Sequence, residues 1–281
     1  MSYVRFIRIE MLNRVPKPEP TYLRGMFGSF PFSLTPMRRE PAHRSEMVNQ
    51  GLFGEVFEIL GHEREWSHIR LGHDGYEGWV LTQQTAELSR ESYRSQLDRP
   101  QPVVASAVDL VDHLQPMKSR TVVAGSFLPF LDGDQLELGD ESYAYQGPLA
   151  DQNPSRDGIV RHAFTFLNAP YLWGGRSAFG IDCSGLTQVS FRMSGINLLR
   201  DAHQQANQGQ VVDFLEEALE GDLAFFDNEE GRITHVGIVL SEHRILHASG
   251  SVRVDALDPS GIYNADLGRH THRLRIIKRF V

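Results

Sequence analysis

The segment Tyr171–Thr187, Y-L-W-G-G-R-S-A-F-G-I-D-C-S-G-L-T, constrains this chain more than any other stretch, and it carries Cys183, the only cysteine. An aromatic, glycine-rich run (Trp173, Gly174, Gly175, then Gly180) precedes the cysteine. An apolar-periodic run (Leu186, Val189, Ser190, Met193), closed by Gly195, follows it. The pattern predicts a loop feeding a helix, with Asp182 as the cap and Cys183 in the first turn. Unpaired N–H groups and the helix dipole favour negative charge there, so the thiol is expected to ionise readily. A lone cysteine is more often a small buried hydrophobe. Here the flanking glycines leave the sulfur poorly covered and open to a close backbone approach.

A cysteine nucleophile needs a base. Downstream come G-D-L-A-F-F (Gly221–Phe226), I-T-H-V-G-I-V-L (Ile233–Leu240) and R-I-L-H-A-S-G (Arg244–Gly250). The last two read as strands joined by a turn at Ser241–His243. A three-residue turn pairs Gly237 with His247 and His235 with Ser249, which makes His235 and His247 diagonal neighbours on one face. A two-residue turn would put them on opposite faces. The first register permits a relay in which His235 activates Cys183 and His247 orients His235.

In order and spacing, Y-L-W-G-G…F-G-I-D-C-S-G-L, G-D-L-A-F-F, T-H-V-G-I-V-L and I-L-H-A-S resemble the NlpC family of papain-like cysteine peptidases, over residues 151–281. The resemblance implies an α+β fold with Cys183 as nucleophile, His235 as base and His247 as the orienting third member. It also implies bacterial cell-wall peptides as substrates, often cut after γ-D-glutamate.

The chain has 281 residues, enough for two or three small domains with a proper core. A net charge of −8 argues against nucleic acid or an anionic membrane as the main partner. One cysteine excludes an internal disulfide and disfavours a cysteine-ligated zinc site. Arg5, Arg8 and Glu10 interrupt the N-terminal apolar residues, so no signal-peptide core can be drawn. If Met1 is the native start, the expected location is the cytoplasm.

Met1–Arg39, rich in proline, reads as strands and extended loops. From Leu34 to Glu87, E-V-F-E-I-L and W-S-H-I-R-L alternate, D-G at Asp74–Gly75 marks a hairpin, and Y-E-G-W-V-L follows. These features resemble a bacterial SH3-like barrel, placed with the N-terminal segment at residues 1–87. Glu91–Pro102 reads as a linker. Thr121–Phe130, Asp132–Asp134 and Gln135–Leu138 read as short strands with turns, expected to form a second SH3-like barrel, residues 88–150. In the third domain, residues 151–281, Ile159–Leu167 reads as a helix ended by Pro170, Gln204–Gln208 as a short helix and Arg269–Arg279 as a last strand.

SH3-like barrels ahead of a papain-like peptidase resemble the dipeptidyl-peptidase VI type of murein-peptide recycling enzyme. The likeness extends to S-E-M-V (Ser45–Val48), D-G-Y-E-G-W-V and R-D-A (Arg200–Ala202). It implies that the barrel helps to read the free amine of L-Ala-γ-D-Glu, through Glu46, Tyr76, Asp182 and Asp201, with Ser184 and Ala202 nearby. Ala202 stands where relatives often carry serine, so a hydroxyl contact is lost there. Trp173 is expected to wall the cleft. Carboxylates and a phenol are the groups a desolvated ammonium requires. The expected reaction is hydrolysis of a γ-D-glutamyl–diamino acid bond of a murein peptide, with no metal or organic cofactor. Three alternatives stay open: an exported hydrolase of intact wall, a wall-peptide-binding protein without catalysis, and acyl or amide transfer from the same acyl-enzyme.

Overall fold

The computed structural model describes residues 26–114 and 119–281. The strands and loops expected before Met26 lie outside the described residues. Seven strands come first: β1 (Met26–Ser29), β2 (Leu34–Arg38), β3 (Met47–Leu52), β4 (Val56–Glu63), β5 (Trp66–Leu71), β6 (Glu77–Leu81) and β7 (Ala86–Leu88). They form one antiparallel sheet in the order β3-β2-β6-β5-β4-β1-β7. Alternation drives it: on β5, Ile69 and Leu71 are buried while Arg70 points to solvent. Phe30, Met37, Phe57, Ile59 and Val80 complete that core. At the β5–β6 hairpin, Gly75 adopts φ +72° and Asp74 accepts the Tyr76 N–H at 2.9 Å.

The expected linker at Glu91–Pro102 is instead largely a helix, α1 (Arg90–Leu97). Ser89 caps it by accepting the Ser92 N–H, and Tyr93 stacks on Phe27 with ring centroids 4.3 Å apart. A polar helix with one aromatic anchor carries too little apolar periodicity to be read from sequence.

A second sheet follows, from β8 (Val108–His113), β9 (Arg120–Val123), β10 (Gln135–Leu138) and β11 (Glu141–Ala144), in the order β10-β11-β8-β9. Thr121–Phe130 holds a short strand followed by a turn, as expected: β9 stops at Val123. Gly125 turns the chain at φ +86°, and the Ser126 hydroxyl accepts the Val123 N–H. Val111, Val122, Leu136 and Tyr143 fill this core together with Phe53 from the turn between β3 and β4.

The third unit holds α2 (Arg156–Phe164), the short pair β12 (Arg176–Ser177) and β13 (Gly180–Ile181), α3 (Cys183–Met193), α4 (Ala202–Gln205) and β14 (Gln210–Val212). Its remaining strands are β15 (Leu223–Asp227), β16 (Ile233–Leu240), β17 (Arg244–Ser249), β18 (Ser251–Asp258), β19 (Gly261–Asn264) and β20 (Arg269–Arg279). The sheet order is β14-β20-β15-β16-β17-β18-β19, and β20 also pairs with β19, so β15–β20 close on themselves. Alternation splits this sheet into two faces. Leu223, Phe225, Val236, Ile238 and Leu246 pack with the residues of α3, all of which are buried. Ala224, Phe226, Val239, Ile245 and Leu257 form a separate cluster on the other face.

Buried ionic networks join the first sheet to the third unit. Glu55, fully buried, accepts from Arg176 (2.8 and 3.0 Å) and Arg192 (2.5 Å). Arg176 also donates to the Gln50 carbonyl at 2.8 Å. Arg200 reaches the Asn49 side chain of β3 at 2.8 Å.

Candidate active site

Cys183 opens α3, and Asp182 caps it by accepting the Gly185 N–H at 2.6 Å. The two glycines around this turn have steric reasons. Gly174 sits at φ +76°, where a Cβ would lie 2.7 Å from the Met47 carbonyl oxygen. A Cβ on Gly185 would lie 2.3 Å from the Gly175 oxygen. The loop is therefore nested against β3 and against its own helix start at backbone distance.

The β16–β17 hairpin has the register that a three-residue turn dictates: Leu240 pairs with Arg244 and Gly237 with His247. Glu242 and His243 take the left-handed conformation at φ 59° and 54°. Regular pairing stops at Gly237 and His247, so the expected pairing of His235 with Ser249 is not made. The two histidines are nevertheless diagonal neighbours, with His235 Nε2 2.9 Å from His247 Nδ1. The N–H of Val236, next to His235, is directed at the Cys183 sulfur. The next strand repeats the geometry. Arg253 pairs with His247, and Asp255, two residues on, lies 3.0 Å from His247 Nε2. Sequence reasoning missed Asp255. The signal was there, because Gly250 makes a tight turn and V-R-V-D alternates.

His272 on β20 stacks on the His235 ring with centroids 4.0 Å apart. Ring nitrogens of His235, His247 and His272 lie within 4.8 Å of one another. Two of these nitrogens already bond each other, and a stacked ring directs its lone pairs in its own plane rather than at its neighbour. The cluster fits a packed relay better than a ligand set.

The thiol does not ionise readily, contrary to the helix-start argument. Burial is the largest effect, the Asp182 carboxylate adds to it, and together they push Cys183 up to about 12 against the pull of nearby N–H groups and Arg200. Burial, then His272 and His247, hold the His235 imidazole well below its ordinary value. Both shifts favour the uncharged forms, thiol and neutral imidazole. The sequence exposes the helix terminus but not the depth at which it is buried.

A cavity of about 430 Å³ opens between the first sheet and the third unit, lined by Glu46, Tyr76, Trp173, Asp182, Cys183, Ser184, Asp201 and Ala202. Arg39, Val48, Tyr171, His203, Ile233 and Thr234 also line it and were not singled out from sequence. His235 and His247 stand behind this surface, both buried. Glu46 accepts from Trp173 Nε1 at 2.7 Å and pairs with Arg39 at 2.8 Å.

Asp182 is saturated by its own protein: Arg200 donates twice (3.0 and 2.7 Å), and Gly174 N–H, Gly185 N–H and Ser184 Oγ donate as well. Those five donors take up its acceptor sites. Ser184 is likewise tied to Arg200 at 2.8 Å. Burial raises the Asp201 carboxyl, and burial with Asp201 pushes the Tyr76 phenol up to about 12. Of the four groups expected to meet the amine, Glu46, Tyr76 and Asp201 line the cavity without the saturation seen at Asp182.

Residues 168–270 match the NlpC/P60 family, and residues 37–84 match the bacterial dipeptidyl-peptidase Sh3 domain. The chain is 30% identical over 223 residues to a γ-D-glutamyl-L-lysine dipeptidyl-peptidase of Bacillus subtilis, with 71% of each chain covered. It is 28% identical over 255 residues to a dipeptidyl-peptidase 6 of Lysinibacillus sphaericus, covering 81% of this chain and 91% of that one. The crystal structure of an NlpC/P60 family protein from Bacillus cereus superposes with a TM-score of 0.75 over 90% of this chain and 99% of that one, at 20% identity, and so shares the fold. A buried thiol at a helix start, two histidines on a facing hairpin and an SH3-like sheet over the cleft agree with these matches: the chain belongs to the NlpC/P60 family, with a bacterial dipeptidyl-peptidase SH3 domain ahead of its peptidase domain.

Proposed function

We propose that this peptidase is a cysteine endopeptidase that hydrolyses the γ-D-glutamyl–diamino acid bond of murein peptides bearing a free N-terminal L-Ala. The observation that carries the reading is one cavity, built from both units, that holds Cys183 together with Glu46, Tyr76 and Asp201. Carboxylates and a phenol suit a substrate ammonium, and the thiol suits attack on the γ-carbonyl. Names of relatives such as γ-D-glutamyl-L-lysine dipeptidyl-peptidase support the same bond.

In this mechanism His235 takes the proton from Cys183 as the sulfur bonds to the γ-carbonyl carbon, in keeping with burial that favours the uncharged form of each group. The tetrahedral oxyanion accepts from the Cys183 N–H. A second donor is the Tyr171 hydroxyl, which lines the cavity; burial first, then Cys183, keeps this phenol protonated. Collapse of the intermediate breaks the C–N bond, and His235 returns the proton to the leaving amine. Water, deprotonated by His235, then splits the thioester. Tyr171→Phe is expected to lower kcat about a hundredfold with little change in KM; steady-state kinetics with an unchanged kcat would remove Tyr171 from the mechanism.

The direct test is mass spectrometry of two matched peptides, L-Ala-γ-D-Glu-diaminopimelate with a free and with an acetylated N-terminus. Cleavage of the free peptide alone is expected, and it would support recycling of murein fragments. Equal cleavage of both would mean that the SH3 domain does not gate the site, and hydrolysis of intact wall would become the better reading.

A further inference from the structure

Both nitrogens of His247 are engaged, and the partners dictate where its hydrogen sits. Nε2 lies 3.0 Å from Asp255 Oδ2, and Nδ1 lies 2.9 Å from His235 Nε2. An ionised carboxylate can only accept, so a neutral His247 carries its hydrogen on Nε2. Its Nδ1 is then a bare lone pair, and it must accept from His235 Nε2–H. His235 is left with a bare Nδ1, the one ring nitrogen that remains to take a proton from Cys183.

We infer that Asp255 is a positioning residue that sets the tautomers of His247 and His235, so that His235 offers Nδ1 as the base. This rests on the reading of Cys183 as nucleophile and His235 as base. The surroundings are built to hold that carboxylate. Arg253 Nη2 donates to Oδ1 at 2.8 Å and is itself held by Asp266 at 2.8 Å. Asp255 is buried, so little water competes for its lone pairs. From β20, His272 stacks on His235 and meets His247 edge-on at 5.7 Å, and from β15 Phe226 faces both His235 and His272. These rings fix where the imidazoles lie but supply no acceptor for His247 Nε2. Among the described residues, only Asp255 does that.

A protonated His247 would donate at both nitrogens. It would turn His235 to the other tautomer, with hydrogen on Nδ1 and no base for the thiol. The inference therefore has an observable in the unmodified protein. Imidazole ¹⁵N shifts of the full chain, labelled in histidine and recorded at neutral pH, are expected to show hydrogen on Nε2 of both His247 and His235. Hydrogen on Nδ1 of either ring would overturn it.

Asp255→Asn tests the same point functionally. Its amide can donate to His247 Nε2, which moves the ring hydrogen to Nδ1 and reverses the chain. A fall in kcat of about 10²–10⁴-fold is expected, with KM within about threefold. Alkylation of Cys183 by iodoacetamide should slow at least about tenfold, and Asp255→Glu should restore part of both. A folded Asp255→Asn protein whose rings keep the wild-type tautomers, or whose kcat stays within about threefold, would overturn the assignment. The substrate reading can fail separately: wild-type protein that cuts no γ-D-glutamyl peptide would sink that reading, while ring shifts and alkylation rates still decide the role of Asp255.

Discussion

Cys183→Ala is expected to abolish turnover, by roughly a million-fold, in a protein that still folds and still binds peptide. The size follows from the division of labour in the site. In the proposed mechanism the sulfur forms the covalent bond, and Cys183 is the thiol of the cavity lining, with the N–H of Val236, next to His235, directed at it. The proposed binding groups are other residues of the lining, Glu46, Tyr76 and Asp201, which the substitution leaves in place. The loss of one sulfur from a buried position costs about 1 kcal/mol of stability, so the helix start and its Asp182 cap survive. Calorimetry with the free tripeptide should return an affinity near the wild-type KM, and mass spectrometry should detect no product. Turnover at the wild-type rate would remove Cys183 from the mechanism. Turnover lost together with binding would instead point to a collapsed cleft.

Glu55→Ala is the substitution expected to damage the fold most. It strips the carboxylate from between Arg176 and Arg192, both buried, and leaves two guanidinium groups without a counter-charge. Breaking such a group from one side costs about 3–5 kcal/mol, against near neutrality when all partners become apolar together. Thermal unfolding followed by circular dichroism should therefore show a large fall in Tm, and a change within about 0.5 kcal/mol would show the network to be dispensable.

The same carboxylate gives a pH dependence of definite sign. Burial alone would raise it, but Arg176, Arg192 and His73 more than offset that and hold it at about 2 against an ordinary 4.5. A depressed carboxyl stabilises the folded state above its unfolded value. That contribution is complete above about 4.5 and is lost as pH falls from there to about 2. Acid unfolding of the wild type should steepen through this window, and the Glu55→Ala protein should lack that component.

What could be read in the sequence was local. The Asp182 cap, the α3 start and the diagonal placement of His235 and His247 follow from spacing and turn length alone, and the structure reproduces each. Glu46, Tyr76 and Asp201, drawn from a resemblance, and Trp173, expected to wall the cleft, line one cavity with Cys183. What escaped was long-range. Glu55, Arg176 and Arg192 are separated by 121 and 137 positions where they meet, and no periodicity links them. Arg200 was visible only as part of a motif, although it occupies the Asp182 carboxylate from both sides. The thiol was misjudged because a terminal dipole can be read from a cap, whereas desolvation depends on which elements close over it.

The β16–β17 turn gives this chain an unusual intolerance of length change. Exposed turns ordinarily accept insertions and deletions across a family, because nothing packs on them. Here Ser241–His243 sets the parity of the strand behind it. Loss of one residue would slide β17 by one position and send His247 to the opposite face, along with every other side chain of that strand. Side-chain identity at Glu242 and His243 is free to drift wherever the left-handed backbone is tolerated, but their number is not. Divergence among relatives should therefore show variable letters and a constant count between the two histidines.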